Sequence, residues 1–433
     1  MDGRQVDQEM ISVEVSAEAS GTKLVILRSP MFKSLKFPGF RLFLGSISLH
    51  RAAMNMQMMV RSLLVYRLTG SAMILGLMSF AHLLPFLLLS LYGGVIADRA
   101  SKKFIIISGQ LITSVVSVAV GLLLTAGYLS VDTPESIWIL VAASVVQGVV
   151  LGLTIASEQS IIPEIVGKND LMNAVSLNSM SMNVLRLFTP ALAGFLVDGF
   201  GFDAVYYTMA GLYLSAAAVL SFLPLAKITK ITHVNSALRD IGEGLRYIKS
   251  DITVMTILLL SLFGVFLSAP YMTMMPIFAE DILMVGATGL GVLMSLSGVG
   301  AIIGSLILTV LPNRKRGVLM LVSSLVLGLA LAGFSFSNIW LLSLALICLV
   351  GVAHAARMSL SNTLLQYYTD PYYRGRVLSV FMMEWGFMSF GAFAVGLMAE
   401  SFGVQLALGS FAIFLAMISL ISFVFLPRIR KLE

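Results

Sequence analysis

The chain is built from apolar blocks of about 20 residues or more, each long enough at 1.5 Å per residue to cross a hydrocarbon core of roughly 30 Å as a helix. Blocks such as 104–124 and 413–426 show no alternation of apolar and polar residues, which rules out a transmembrane barrel. Composition agrees, because only 12% of residues are charged, about half the share of a soluble domain. The expected fold class is an all-α membrane protein.

Several functions are excluded at once. The single cysteine, Cys348, sits in an apolar block, so neither a disulfide framework nor a thiolate metal site can form. A formal charge of +6 could suggest nucleic acid, but the basic residues fall in short connections between blocks, where membrane topology accounts for them. No nucleophile with a base, no metal-ligand cluster and no phosphate-binding glycine loop occurs, which argues against an enzyme, a cofactor or a metal. Residues 1–37 lack the ordered parts of a signal peptide and read as a disordered cytoplasmic tail, with an amphipathic start possible around 24–37.

The blocks run 42–66, 73–97, 104–127, 137–157, 174–198 and 204–224, then 253–278, 287–311, 317–336, 339–360, 377–399 and 404–426. That predicts twelve transmembrane helices in two six-helix bundles, 38–225 and 253–427, joined by a linker at 226–252 and followed by a short tail at 428–433. Within the linker, Leu238, Ile241, Leu245 and Ile248 share one face, the pattern of an amphipathic helix on a membrane surface. Odd-to-even connections hold Asp132, Glu135, Asp198, Asp203, Glu280, Asp281 and Glu400, with Arg67 as their one base. Even-to-odd connections hold Arg99, Lys102, Lys103, the bases of 227–249, then Arg314, Lys315 and Arg316. The bias of Lys and Arg toward cytoplasmic loops places both termini in the cytoplasm.

An internal repeat supports two related bundles. Residues 161–176 align without gaps on 364–379, an offset of 203, and Trp138 and Trp340 stand at nearly the same separation. Paired bundles around a central cavity are the architecture of alternating-access carriers.

The second-to-third connection reads Gly94-Val95-Ile96-Ala97-Asp98-Arg99-Ala100-Ser101-Lys102-Lys103. It resembles the G-x-x-x-D-R-x-G-R-R/K signature of the major facilitator superfamily, with Ser101 in place of the second glycine. Here Gly94 allows close helix approach, Asp98 can face a helix N-terminus, and Arg99, Lys102 and Lys103 can hold one conformation through ion pairs. The matching second-half connection, 304–316, has no aspartate, so such a lock is expected on one side only. Further matches are Phe40-Arg41, Leu64 to Gly76, Asn173-Ala174 and Arg374-Gly375-Arg376. In the fifth block, Arg186 to Gly194 is similar to that family's antiporter pattern, keeping Pro190 and Gly194 but with Thr189 where glycine is usual. Together these resemble the branch that includes macrolide exporters and the enterobactin exporter. The resemblance implies a bacterial inner-membrane transporter, energised by protons and needing no cofactor.

Ionisable groups inside the blocks cost roughly 2.5–3.5 kcal/mol to insert, so they should face protein or a watery cavity. The predicted substrate cavity is lined by Arg51, Asn55, Met58 and Arg61 of the first block, Asn178, Met182 and Arg186 of the fifth, and His354 and Arg357 of the tenth. For Arg357, a gate and a side chain snorkelling to phosphates both stand open. Glu384 is the only acid deep in the second half, suited either to carrying a proton or to a permanent ion pair with an arginine. Glu158 is the second proton candidate, although its place at a block end also fits an interfacial residue. His50 and His82 fit hydrogen-bonded packing roles better than titrating ones.

The function expected is proton-coupled export of small amphipathic molecules, drug or siderophore-like, by a monomer in contact with membrane lipids. A lipid or nutrient carrier of the same fold and a non-transporting receptor remain as alternatives.

Overall fold

A computed structural model describes residues 30–99, 101–131, 133–224, 237–311 and 314–432. Among them all regular structure is helical. Helix α1 spans Pro38–Thr69, α2 Ala72–Arg99 and α3 Lys102–Thr125. A longer stretch divides into α4, Ile137–Gly167, and α5, Asn169–Ser221. The linker forms α6, Ala237–Ser250, and then follow α7 (Ile252–Ile282), α8 (Gly286–Val310), α9 (Arg316–Ser335), α10 (Trp340–Tyr368), α11 (Arg374–Phe402) and α12 (Val404–Phe425).

Ten of these segments are long and apolar enough to cross a membrane, so the chain is a multi-pass membrane protein. A count of twelve needs two more steps. The 32-residue α1 must be included although Arg41, His50, Arg51, Arg61 and Arg67 lower its hydropathy, and the 53-residue α5 must be divided at Gly201. Gly201 has φ +87° and Gly167 φ +71°, a region that costs other L-residues. These two glycines turn the chain where the sequence alone shows short connections.

Helix starts follow local chemistry. Ser101 accepts a bond from the Phe104 amide at 3.4 Å, and Asp251 accepts from Thr253 at 2.8 Å and Val254 at 3.2 Å, satisfying amides that have no partner within the helix. Helix α1 starts with Pro38 and ends at Gly70 in the left-handed conformation.

The halves of the chain meet through α2 with α11 and through α5 with α8. The repeat relates α2 to α8 and α5 to α11, so these are equivalent contacts viewed from opposite halves. Small residues let backbones touch: a Cβ on Gly76 would lie 2.8 Å from the Ala392 carbonyl oxygen, and one on Gly396 2.6 Å from that of Ala72. On the other contact, a Cβ on Gly194 or Gly291 would collide with the carbonyls of Ala287 or Pro190.

Two segments outside the apolar blocks are fixed in place. Residues 30–36, in the tail where an amphipathic start also stands open, form a 3₁₀ turn, Pro30–Lys36, against the start of α5, while 1–29 lie outside the described residues. Lys33 and Lys36 each reach the Asp170 carboxylate at 2.9 Å, and the Ser34 amide donates to Asn173 Oδ1 at 2.8 Å. Hydrogen bonds from the two ammonium groups hold Asp170 below its ordinary pKa. A depressed folded value means this clamp is present above the ordinary carboxylate range near 4 and is lost as pH falls through the lower, folded value. Asp170→Asn should therefore free the segment at neutral pH, read as faster tryptic cleavage at Lys33 and Lys36, a change the natural chain shows only in acid.

Helix α6 packs on the second half, with Glu243 paired to Arg376 at 3.0 Å and Tyr247 stacked on Tyr373 at 4.4 Å. Of its expected apolar face, Ile248 is buried and Leu245 exposed, while the side chains of Leu238 and Ile241 lie outside the described residues.

Candidate functional site

Each half encloses one carboxylate among its helices within electrostatic reach of an arginine. In the first half, Glu158 of α4 faces His50 Nε2 of α1 at 3.8 Å and lies within electrostatic reach of Arg51. Arg51 Nη1 donates to Asn178 Oδ1 of α5 at 2.8 Å and to the Asn178 carbonyl at 3.3 Å. Three helices are thus tied together by one polar group. Asn55 is half-buried nearby on α1, whereas Met58 and Met182 are exposed.

Arg61, about three turns beyond Arg51 on α1, joins a second group. Its Nη1 reaches Ser144 Oγ and Gln147 Oε1 of α4, each at 3.5 Å, and His82 Nδ1 meets the Ser144 carbonyl at 3.2 Å. Gln57 Oε1 accepts from the Tyr213 hydroxyl at 2.9 Å. No carboxylate lies within ion-pair distance of Arg61 among the described residues.

In the second half, Arg357 of α10 is 1% exposed and turned inward toward α7. Its Nη1 donates to the Ser261 carbonyl at 3.2 Å and Ser261 Oγ at 3.4 Å on α7. The guanidinium fits because residue 264 is glycine: a Cβ there would stand 2.7 Å from Arg357 Nη1. Glu384 is 2% exposed on α11, where the helix is interrupted at Met383, and it feels the charge of Arg357. The Ser261 hydroxyl is beside it, yet neither carboxylate oxygen makes a hydrogen bond of normal geometry. Arg186 of α5 is half-buried and within electrostatic reach of Tyr271 and His354 across the interface between halves. Gly264→Ala should lower transport severalfold in vesicle uptake without removing any charge, because it displaces the Arg357 head group.

The connections with acidic residues close one end of the molecule. The Tyr66 hydroxyl donates to Asp281, and Arg67 pairs with Glu280 at 2.9 Å and approaches Asp198 at 3.8 Å. Asp198 accepts from the Thr288 amide at 2.8 Å at the start of α8, and Glu400 accepts from the Met73 amide at 3.3 Å at the start of α2. These are carboxylates from just before the Gly201 turn in α5 and from the end of α11, capping helices of the opposite half, a favourable dipole contact. A cavity of about 490 Å³ lies at this end between Tyr66, Asp281, Glu400 and Gln405, remote from the buried pairs.

At the opposite end, Lys102 pairs with Glu164 and Lys103 donates to the Ser221 and Leu223 carbonyls at 2.6 and 2.7 Å, all within the first half. The side chains of Asp98 and Arg99 and the surroundings of Gly94 lie outside what the structure describes, although the α2 backbone runs through them. Pro190 and Gly194 are buried at, or pack into, the α5–α8 contact.

Sequence patterns did not point to Ser261, Gly264, Gln57, Ser144 or Gln147. A lone polar or small residue in an apolar block carries no mark of which neighbour it meets.

A chain of apolar helices whose halves meet through equivalent helix pairs is a membrane transporter of the major facilitator fold, not an enzyme. The fold is shown by the inward-facing, unoccupied structure of a bacterial homolog of the human lysosomal transporter Spinster, with a TM-score of 0.71 at 15% identity over 91% of this chain and 98% of that one. The transmembrane secretion effector family matches residues 32–433, and the chain belongs to it. The staphyloferrin A transporter of Staphylococcus aureus is 28% identical over 84% of this chain and 90% of its own length. The enterobactin exporter of Shigella boydii is 27% identical over 72% of this chain and 70% of its own.

Proposed function

We propose that the chain is a proton-coupled secondary transporter of the bacterial cytoplasmic membrane that exports small amphipathic molecules, drug or siderophore-like, by alternating access. The observation that carries this reading is the enclosure of Glu158 and Glu384 among helices, Glu158 largely and Glu384 almost fully buried, each within electrostatic reach of an arginine. Groups that costly to bury are retained where they work, and a carboxylate that can exchange an arginine for a proton is a means of coupling. Similarity to proteins named for siderophore transport and export supports the direction and the cargo class.

In this reading twelve spans form two bundles, 38–225 and 253–427, both termini are cytoplasmic, and the monomer is the working unit. The acidic-loop end is then the outer face, sealed here by its carboxylate caps, and cargo enters from the cytoplasm toward Arg51, Arg61, Arg186 and Arg357. Glu384 is the first proton carrier and Glu158 the second.

Inside-out vesicles test the reading. Uptake of a labelled catecholate or amphipathic dye should rise severalfold when the lumen is made acidic, and an ionophore should abolish the rise. Uptake indifferent to the gradient, or flux only in right-side-out vesicles, would overturn it.

A further inference from the structure

Nearly all buried polar groups in folded proteins find a partner. Where α10 and α11 pack on α7, several do not. Arg357 uses Nη1 on Ser261 but leaves Nε and Nη2 unbonded, and both oxygens of Glu384 are unbonded as well. His354 Nδ1 and Ser361 Oγ, about one turn to either side of Arg357 on α10, are also without partners. Arg186 approaches the same group from the other half, with no carboxylate at ion-pair distance among the described residues.

The unmet atoms are of both kinds. Nε and Nη2 form one edge of the planar guanidinium, the fork that a carboxylate bonds with both oxygens. Glu384, when ionised, offers acceptors only; the Ser261 hydroxyl beside it can bring one donor, and its remaining acceptor sites call for another. A ligand that fits both carries an O–H close to a carboxylate.

We propose that this site receives an α-hydroxy acid unit, whose carboxylate accepts from Arg357 Nε and Nη2 and faces Arg186, and whose hydroxyl donates to Glu384. The inference rests on the export reading, since it names the cargo class of that transporter. It also fits exchange: a proton on Glu384 leaves only a neutral carbonyl oxygen to accept from the hydroxyl, a weaker contact than the carboxylate makes, so proton and ligand oppose one another at one group. Guanidinium groups from both halves converge on the ligand, which places it at the interface that must rearrange.

Three small probes isolate the parts. Mandelate has the hydroxyl and the charge, phenylacetate lacks the hydroxyl, and methyl mandelate lacks the charge. Calorimetry on the full chain in lipid nanodiscs should give saturable mandelate binding, with each of the others weaker by about tenfold, the worth of one hydrogen bond to a charged group. In Glu384→Gln the preference for mandelate over phenylacetate should shrink, and in Arg186→Gln the preference over methyl mandelate should. If Glu384→Gln does not fold, the natural chain and Arg186→Gln decide alone. Binding of all three probes within about twofold of one another, no saturable binding, or both preferences surviving substitution would overturn the proposal. Gradient-driven dye uptake that persists alongside such a result leaves export standing, whereas intact mandelate preferences without gradient-driven flux count against export alone.

Discussion

Arg357→Gln should lower the unfolding free energy by about 3–5 kcal/mol, because it strands the Glu384 carboxylate in a buried site without its cation. Adding Glu384→Gln to the same chain should recover most of that loss, since a neutral pair of similar shape carries no isolated charge. The comparison is made by thermal unfolding in detergent, on chains of matched purity. A double variant no more stable than Arg357→Gln would mean the two side chains are neighbours without being partners. Burial and charge favour partnership although the two side chains make no direct hydrogen bond: both groups are almost fully buried, each feels the other's charge, and Gly264 leaves the space in which Arg357 lies.

Gly291→Leu should open the acidic-loop end. Even a single Cβ on Gly291 would collide with the Pro190 carbonyl, so α5 and α8 could not keep their present contact. The polar contacts across this end are partly exposed, worth about 0–1 kcal/mol each, too little to hold against an overpacking cost of about 1–3 kcal/mol. With Cys348 replaced, a Met182→Cys chain should react about tenfold faster with an impermeant thiol reagent from that side when Gly291→Leu is present. Gly211→Leu, where a Cβ meets nothing within 4 Å, serves as the control. Unchanged labelling would show that the α5–α8 contact does not set which end is closed.

The fold was legible because lipid imposes a simple rule on sequence. Blocks such as 404–426 can only be helices, and the loop charges sort by side. The family resemblance drawn from 94–103 and 186–194 was likewise sound, since the whole of 32–433 matches the secretion effector family. Helix lengths were less legible. Spans read as 137–157 and 174–198 extend to Gly167 and begin at Asn169, because polar residues past the lipid boundary continue the helix with no apolar signal. Docking of Pro30–Lys36 was missed for a related reason: it depends on Asp170 and Asn173, which are distant in sequence.

For the buried groups, sequence identified which charges were expensive but not whom they meet. The arginine beside Glu384 is Arg357 rather than Arg186, and Glu158 has both His50 and Arg51 for neighbours. Helical spacing gives the face of a side chain on its own helix and is silent on how neighbouring helices are rotated. The acidic loop residues show the same limit. Asp198 and Glu400 served only as a topology signal in the sequence, while in the structure they cap helices of the opposite half.

Proton coupling through Glu384 is the claim on which the transport account turns, and one comparison tests it most directly. In inside-out vesicles, Glu384→Gln should take up cargo at the same rate with and without an acidic lumen, while exchange of labelled for unlabelled cargo continues. Gradient-driven uptake retained at the natural level in Glu384→Gln would contradict the account and remove this carboxylate as the proton carrier.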